Sequence, residues 1–159
     1  MKKVVLVACV ATKNPEPAPA EELYASDLFK KSIDYAKKLT DPKDIYILSA
    51  KHHLLPIRKE IAPYDMTLND FDKKEKEQWA DKVLNSIQKR YNIKDTEFVF
   101  LAGNNYRKYL EDKLPHTSVP LKGLRIGQQK AKLKKLLSEV FQKIVKLVKE
   151  ELNIFKKWN

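Results

Sequence analysis

Val4-Val5-Leu6-Val7-Ala8-Cys9-Val10-Ala11-Thr12-Lys13-Asn14 is the stretch that decides the fold. It begins as a β-branched, apolar run without alternation and ends in a polar turn. A run of that kind suits a strand covered on both faces. Two more follow, Ile45-Tyr46-Ile47-Leu48 and Phe98-Val99-Phe100-Leu101-Ala102, with a weaker fourth at Thr117-Ser118-Val119-Pro120-Leu121. Amphipathic patterns separate them. Ser26 is a plausible N-cap for a helix reaching Leu39, and Asn69 or Asp70 for one over Phe71–Tyr91. Asn104 or Asn105 opens a third, ended by Pro115. A fourth runs from about Ile126 to Phe155 with an apolar stripe from Leu133 onward. The alternation predicts one α/β domain: three layers, α/β/α, around a mainly parallel four-stranded sheet, with a long C-terminal amphipathic helix.

Composition narrows the classes. A chain of 159 residues can bury a core without disulfides or metal. Cys9 is its single cysteine, so no intramolecular disulfide and no cysteine metal cluster is expected. The first apolar run is too short for a secretory signal and lacks a cleavage site. No run approaches the ~20 apolar residues of a membrane span. A cytoplasmic protein without membrane partners is expected. The formal charge is +11, and Lys130–Asn159 alone holds nine lysines against three glutamates. Such a balance fits a polyanionic partner or, equally, a solvated Lys/Glu surface.

Ligands of open parallel sheets bind beyond the carboxyl ends of the strands. That rule singles out four loops. The first offers Cys9, Thr12 and Lys13, with Lys13 suited to a phosphate and Cys9 more often a small buried residue. The second, Leu48-Ser49-Ala50-Lys51-His52-His53-Leu54-Leu55-Pro56, holds two of the three histidines. Neighbours in extended chain point oppositely, so His52 and His53 are not expected to share a metal, and no cofactor is called for. Either remains open as a general acid or base. Pro63-Tyr64-Asp65 then presents an aromatic and a carboxylate, as a base-stacking and water-activating pair or as a plain turn. The third loop, Gly103-Asn104-Asn105-Tyr106, joins a strand to a helix. The fourth, Lys122-Gly123-Leu124-Arg125-Ile126-Gly127-Gln128, carries two glycines and two cations. Neither a Walker loop nor a dinucleotide fingerprint occurs.

The order of these motifs resembles a known small domain family. It comprises Cys9-x-x-Thr12-Lys13, Leu23-Tyr24-x-Ser26-x-Leu28-Phe29, and Leu48-Ser49-Ala50-Lys51-x-x-Leu54-Leu55-Pro56. Pro63-Tyr64-Asp65, Leu101-Ala102-Gly103-x-x-Tyr106 and Leu121-x-Gly123-Leu124-x-Ile126-Gly127-Gln128 follow. Over about residues 3–137 the chain looks like a family of uncharacterised function related to the YaaA peroxide-stress proteins. The archaeosine synthase core, similar to the uracil-DNA-glycosylase type of fold, shares the layout. The chain departs at Ala11, and at His52-His53, where tyrosine–glycine is common. The resemblance implies a nucleic-acid-associated protein acting on a nucleobase or nucleotide, by base modification or at an N-glycosidic bond. The alternative is a non-catalytic DNA- or RNA-binding stress protein. The candidate catalytic residues are Asp65, Lys51 and Lys13. Cys9, Tyr24, Ser26, Tyr64, Asn104, Gly123, Gly127 and Gln128 are the candidate binding residues, with Tyr24 or Tyr64 as the stacking ring.

Overall fold

The computed structural model describes residues 1–11 and 13–159. Its elements follow in chain order. β1 (Lys2–Ala8), β2 (Ala18–Pro19), α1 (Ala20–Leu23) and α2 (Asp27–Leu39) come first, then β3 (Ile45–Ser49), β4 (His53–Pro56) and β5 (Glu60–Ile61). α3 (Lys73–Arg90), β6 (Thr96–Leu101), α4 (Asn104–Arg107), β7 (Thr117–Ser118) and α5 (Ile126–Trp158) complete the chain. The main sheet has the order β4-β3-β1-β6-β7. β1 pairs in parallel with β3 and β6, and β6 with β7.

The mainly parallel α/β architecture is as expected, but the sheet has five strands, not four. The added strand is β4, antiparallel to β3 in the register Ser49↔His53 to Tyr46↔Pro56. Residues 49–69 read as one long loop because the hairpin turn, Ala50-Lys51-His52, contains no glycine or proline. His53 takes the left-handed φ of +62° that such a turn demands. Glycine usually supplies that conformation, so the His52-His53 departure keeps the turn and strains it instead. A small ribbon pairs β2 with β5 and ties the first long loop to the second.

Alternation along the strands divides the core. Val5, Val7, Ile45, Ile47, Val99 and Leu101 face α2 and the first turns of α5. Val4, Leu6, Tyr46, Leu48, Phe98 and Phe100 face α3, which contributes Trp79, Val83 and Ile87. Ser26 caps α2 by accepting from the Phe29 N–H. The cap of α3 is Asp72 rather than Asn69 or Asp70, because Leu68–Asp70 form a separate 3₁₀ turn. The helix opened by Asn104 stops at Arg107, and a 3₁₀ turn at Glu111–Lys113 carries the chain on to Pro115. No helix is long and apolar enough to cross a membrane among the described residues.

Candidate functional site

From β1 the chain crosses to β3 on one side, and from β6 it moves to β7 on the other. The two connections diverge, and a cleft of about 480 Å³ opens at the carboxyl ends between them. That is the switch point where open α/β sheets take their ligands, and the volume suits a small organic ligand. Ala8 and Val10 line it at and just past the end of β1, Gly103 and Asn104 from the turn between β6 and α4, and Lys122 and Gly123 from the fourth loop. Gly123 takes a left-handed φ of +76°, which a residue without a Cβ adopts freely. Arg107 lies buried in the wall, its Nε donating to the Ala102 carbonyl (2.9 Å) and its Nη1 to Glu111 (2.9 Å).

Cys9 belongs to a second group of side chains, off the cleft lining, that gathers around the ends of β1 and β3. Its sulfur lies 3.0 Å from the Tyr106 hydroxyl. The Tyr64 hydroxyl lies 2.6 Å from that of Tyr24 and 2.8 Å from Ser49 Oγ, which also accepts from the His52 N–H. Burial pushes the Tyr64 phenol up to about 12. It raises Tyr24 and Tyr106 further. All three therefore remain neutral and act as hydrogen-bonding hydroxyls. Beneath them Trp79 Nε1 donates to the Ser49 carbonyl (2.8 Å), anchoring the floor to α3.

Two cations crown this chain of hydroxyls. Lys13 Nζ stands 4.4 Å from the centre of the Tyr64 ring and 5.6 Å from that of Tyr24. It is held there because the first loop doubles back, bridging Lys13 to Tyr24 and Asn14 N–H to the Leu23 carbonyl (2.7 Å). Lys51, in the β3–β4 turn, places its Nζ 5.9 Å from the Tyr64 ring. Neither lysine has an ion-pair partner among the described residues. His52 packs edge-on against Tyr64 with ring centres 5.3 Å apart. Burial, then Lys51 and Lys59, hold its pKa below the ordinary imidazole value, so the ring is neutral at pH 7. Its Nε2 is buried with no hydrogen-bond partner among the described residues.

The candidate residues thus sort into three places. Lys13, Lys51, Cys9, Tyr24 and Tyr64 come together in the hydroxyl cluster, and Asn104 and Gly123 in the adjoining cleft. Tyr24 is fully buried, so its ring supports Tyr64 and has no face free for stacking. Ser26 spends its hydroxyl on the α2 cap. Asp65 is exposed and enters neither the hydrogen bonds of the cluster nor the lining of the cleft. Gly127 is exposed in the first turn of α5, and Gln128 caps that helix by accepting from the Arg125 N–H. Thr12 lies outside the described residues. Ser49, Tyr106 and Arg107 are the additions, and His52, left open as an acid or base, joins the cluster. Ser49 ends a strand whose carboxyl edge was already marked, and that position was its one signal. No group of His, Cys, Asp and Glu side chains is placed to hold a metal among the described residues.

Fold and site together define an open α/β domain with a cationic, tyrosine-lined carboxyl edge. The chain belongs to a family of unknown function, DUF6884, whose model matches residues 4–135. No curated protein and no solved structure matches the chain.

Proposed function

We propose that this protein binds a nucleotide, or a nucleotide unit of a nucleic acid, at the carboxyl edge of its sheet. The observation that carries this reading is the convergence of Lys13 and Lys51 on Tyr64 without a carboxylate to neutralise them. Two uncompensated cations beside neutral hydroxyl donors suit a phosphate, which accepts from both kinds of group. The cleft on the other side of β1 is of a size for the attached sugar or base. The likeness to YaaA-type proteins and to the archaeosine synthase core supports a nucleobase as that occupant, and the +11 charge suits a polyanion.

Base modification or N-glycosidic chemistry is the second reading, and His52 favours it. A neutral imidazole packed against Tyr64, with one nitrogen left without a partner, has the capacity to take a proton from a substrate group that reaches into the cluster. Titration calorimetry with nucleoside monophosphates, nucleosides and short oligonucleotides tests the first reading. Nucleotides are expected to bind, nucleosides far more weakly, and affinity is expected to fall with salt. Equal binding of nucleosides and nucleotides, or no binding by any of them, overturns it. Mass analysis of modified oligonucleotides after incubation tests the second, with loss of any product in His52→Gln as the expected outcome.

A further inference from the structure

Lys51 belongs to two places. Its Nζ stands near the Tyr64 ring, and the residue also lines a second pocket, of about 270 Å³, where the β3–β4 turn meets α3. Trp79 joins the same two places. It lines this pocket, donates to the Ser49 carbonyl, and packs edge-on against Tyr106 with ring centres 5.8 Å apart. The two histidines divide likewise: His52 packs on Tyr64, and His53 lines the pocket. Three recesses therefore follow one another along the carboxyl edge. They are the cleft between β1 and β6, the hydroxyl cluster with its two lysines, and the pocket beyond β3.

We propose, on the footing of nucleotide binding at the carboxyl edge, that this pocket receives the neighbouring base of a single-stranded nucleic acid whose phosphate lies between Lys13 and Lys51. The shared Lys51 carries the inference. A phosphodiester held by it has one nucleoside toward the cleft and the other toward the pocket. The pocket's lining favours a base over a second phosphate. Met66, 41% exposed, and Phe71 give apolar surface for the faces of a ring. Glu75 and Gln78, on the first two turns of α3, add a carboxylate and an amide. His53 adds an imidazole whose pKa is held below the ordinary value by burial, then by Lys82 and His52. That ring is neutral at pH 7, with one donor and one acceptor nitrogen. Glu75 would repel a phosphate, whereas the edge of a base offers donors and acceptors to all three side chains. The volume lies just below the range of about 300–1,000 Å³ that whole small ligands take, which suits a base alone. Lys82, with no ion-pair partner among the described residues, supplies charge for the backbone of the strand. A duplex keeps its bases stacked and paired, so only an unpaired strand lays successive bases in separate recesses.

Titration calorimetry on the full chain tests this with nucleoside monophosphates, short mixed-sequence single strands of DNA and of RNA, and a blunt duplex of the same length. At least one kind of single strand is expected to bind about tenfold tighter than the monophosphates, and tighter than the duplex. Phe71→Ala and Lys82→Glu should each lower single-strand affinity about tenfold and leave monophosphate binding unchanged. Lys82 is exposed, so its replacement leaves the fold intact even where Phe71→Ala loosens the packing on α3, and circular dichroism checks both. Lys89→Glu makes the same change of charge in the last turn of α3, away from the carboxyl edge, and should have little effect. Single strands that bind no tighter than monophosphates, or no tighter than the duplex, overturn the proposal and leave nucleotide binding standing. So does a Lys82→Glu variant with single-strand affinity unchanged, or lowered no more than in Lys89→Glu. Absence of binding by monophosphates and strands alike removes the nucleotide reading and this proposal with it.

Discussion

Tyr46 and Tyr91, at the amino end of the sheet, are assembled like Tyr24 and Tyr64 at the carboxyl end. In each pair the rings meet edge to face, 6.2 and 6.5 Å apart, and the hydroxyls bond, at 2.8 and 2.6 Å. In each, two cations stand over the rings: Lys2 and Arg90 in the first, Lys13 and Lys51 in the second. The difference is one carboxylate. Asp44, buried at the amino end, accepts from the Tyr91 hydroxyl (2.7 Å) and pairs with Lys2 (3.5 Å). The carboxyl end has Ser49 where the amino end has Asp44. One assembly has a carboxylate that satisfies its hydroxyl chain and pairs one of its two cations, whereas the other has no carboxylate and retains both positive charges.

The largest expected effect falls on the assembly with the carboxylate. Asp44→Ala removes the buried carboxylate that accepts from the Tyr91 hydroxyl and pairs with half-exposed Lys2, and is expected to cost about 2–3 kcal/mol of stability in urea unfolding. It should leave nucleotide binding at the opposite edge unchanged. The double replacement Lys13→Ala with Lys51→Ala should do the reverse. Nucleotide affinity is expected to fall about a hundredfold, equivalent to about 2.7 kcal/mol. Stability should move by less than about 0.5 kcal/mol, since neither cation has an ion-pair partner among the described residues and the bond from Lys13 Nζ to the Ala11 carbonyl (3.2 Å) is exposed. If the double variant unfolds the protein, or Asp44→Ala abolishes binding, the contrast between the two assemblies fails.

Tyr64→Phe probes the middle of the hydroxyl chain. It orphans Tyr24, which no water reaches, and is expected to cost about 1–2 kcal/mol by calorimetric melting. His53→Gly relieves the left-handed backbone beside Lys51 and should stabilise by about 1 kcal/mol, measured by the same melt. The smallest effect concerns acid. The folded protein holds His52 below its ordinary value of 6.5, so the unfolded chain binds more protons below that pH. Stability should be flat above pH 6.5 and decline as the pH falls toward the folded value. His52→Gln should flatten part of that decline in melting temperature, and His53, lowered likewise by burial, retains the rest.

The sheet core was legible because β1, β3 and β6 are apolar on both faces, and periodicity reports burial directly. β4 was not, since a four-residue strand entered through a turn without glycine leaves no local signal. The cationic pair illustrates a partial reading. Lys13 and Lys51 were marked by lying past strand ends, but their meeting over Tyr64 depends on the doubled-back first loop, a tertiary contact. Asp65 drew attention as the carboxylate next to Tyr64, and the turn sends it outward. Tyr24 shows the limit of type-based reasoning: an aromatic in a ligand loop and one in a core are the same letter. The exposed half of α5 was legible as an amphipathic helix, but an amphipathic pattern does not reveal whether the chain itself covers the apolar face.

Ser49 has a consequence of its own. Its carbonyl is gripped by Trp79 from the α3 layer, and its hydroxyl reaches Tyr64, which is bonded to Tyr24 in the α2 layer. Residues joined to both layers cannot open in a local fluctuation, so their amides should exchange with deuterium only through global unfolding. The floor of the carboxyl edge should therefore belong to the slowest-exchanging part of the molecule. A nucleotide bound as proposed would meet a floor already in its final shape, leaving mainly the lysine side chains to be ordered.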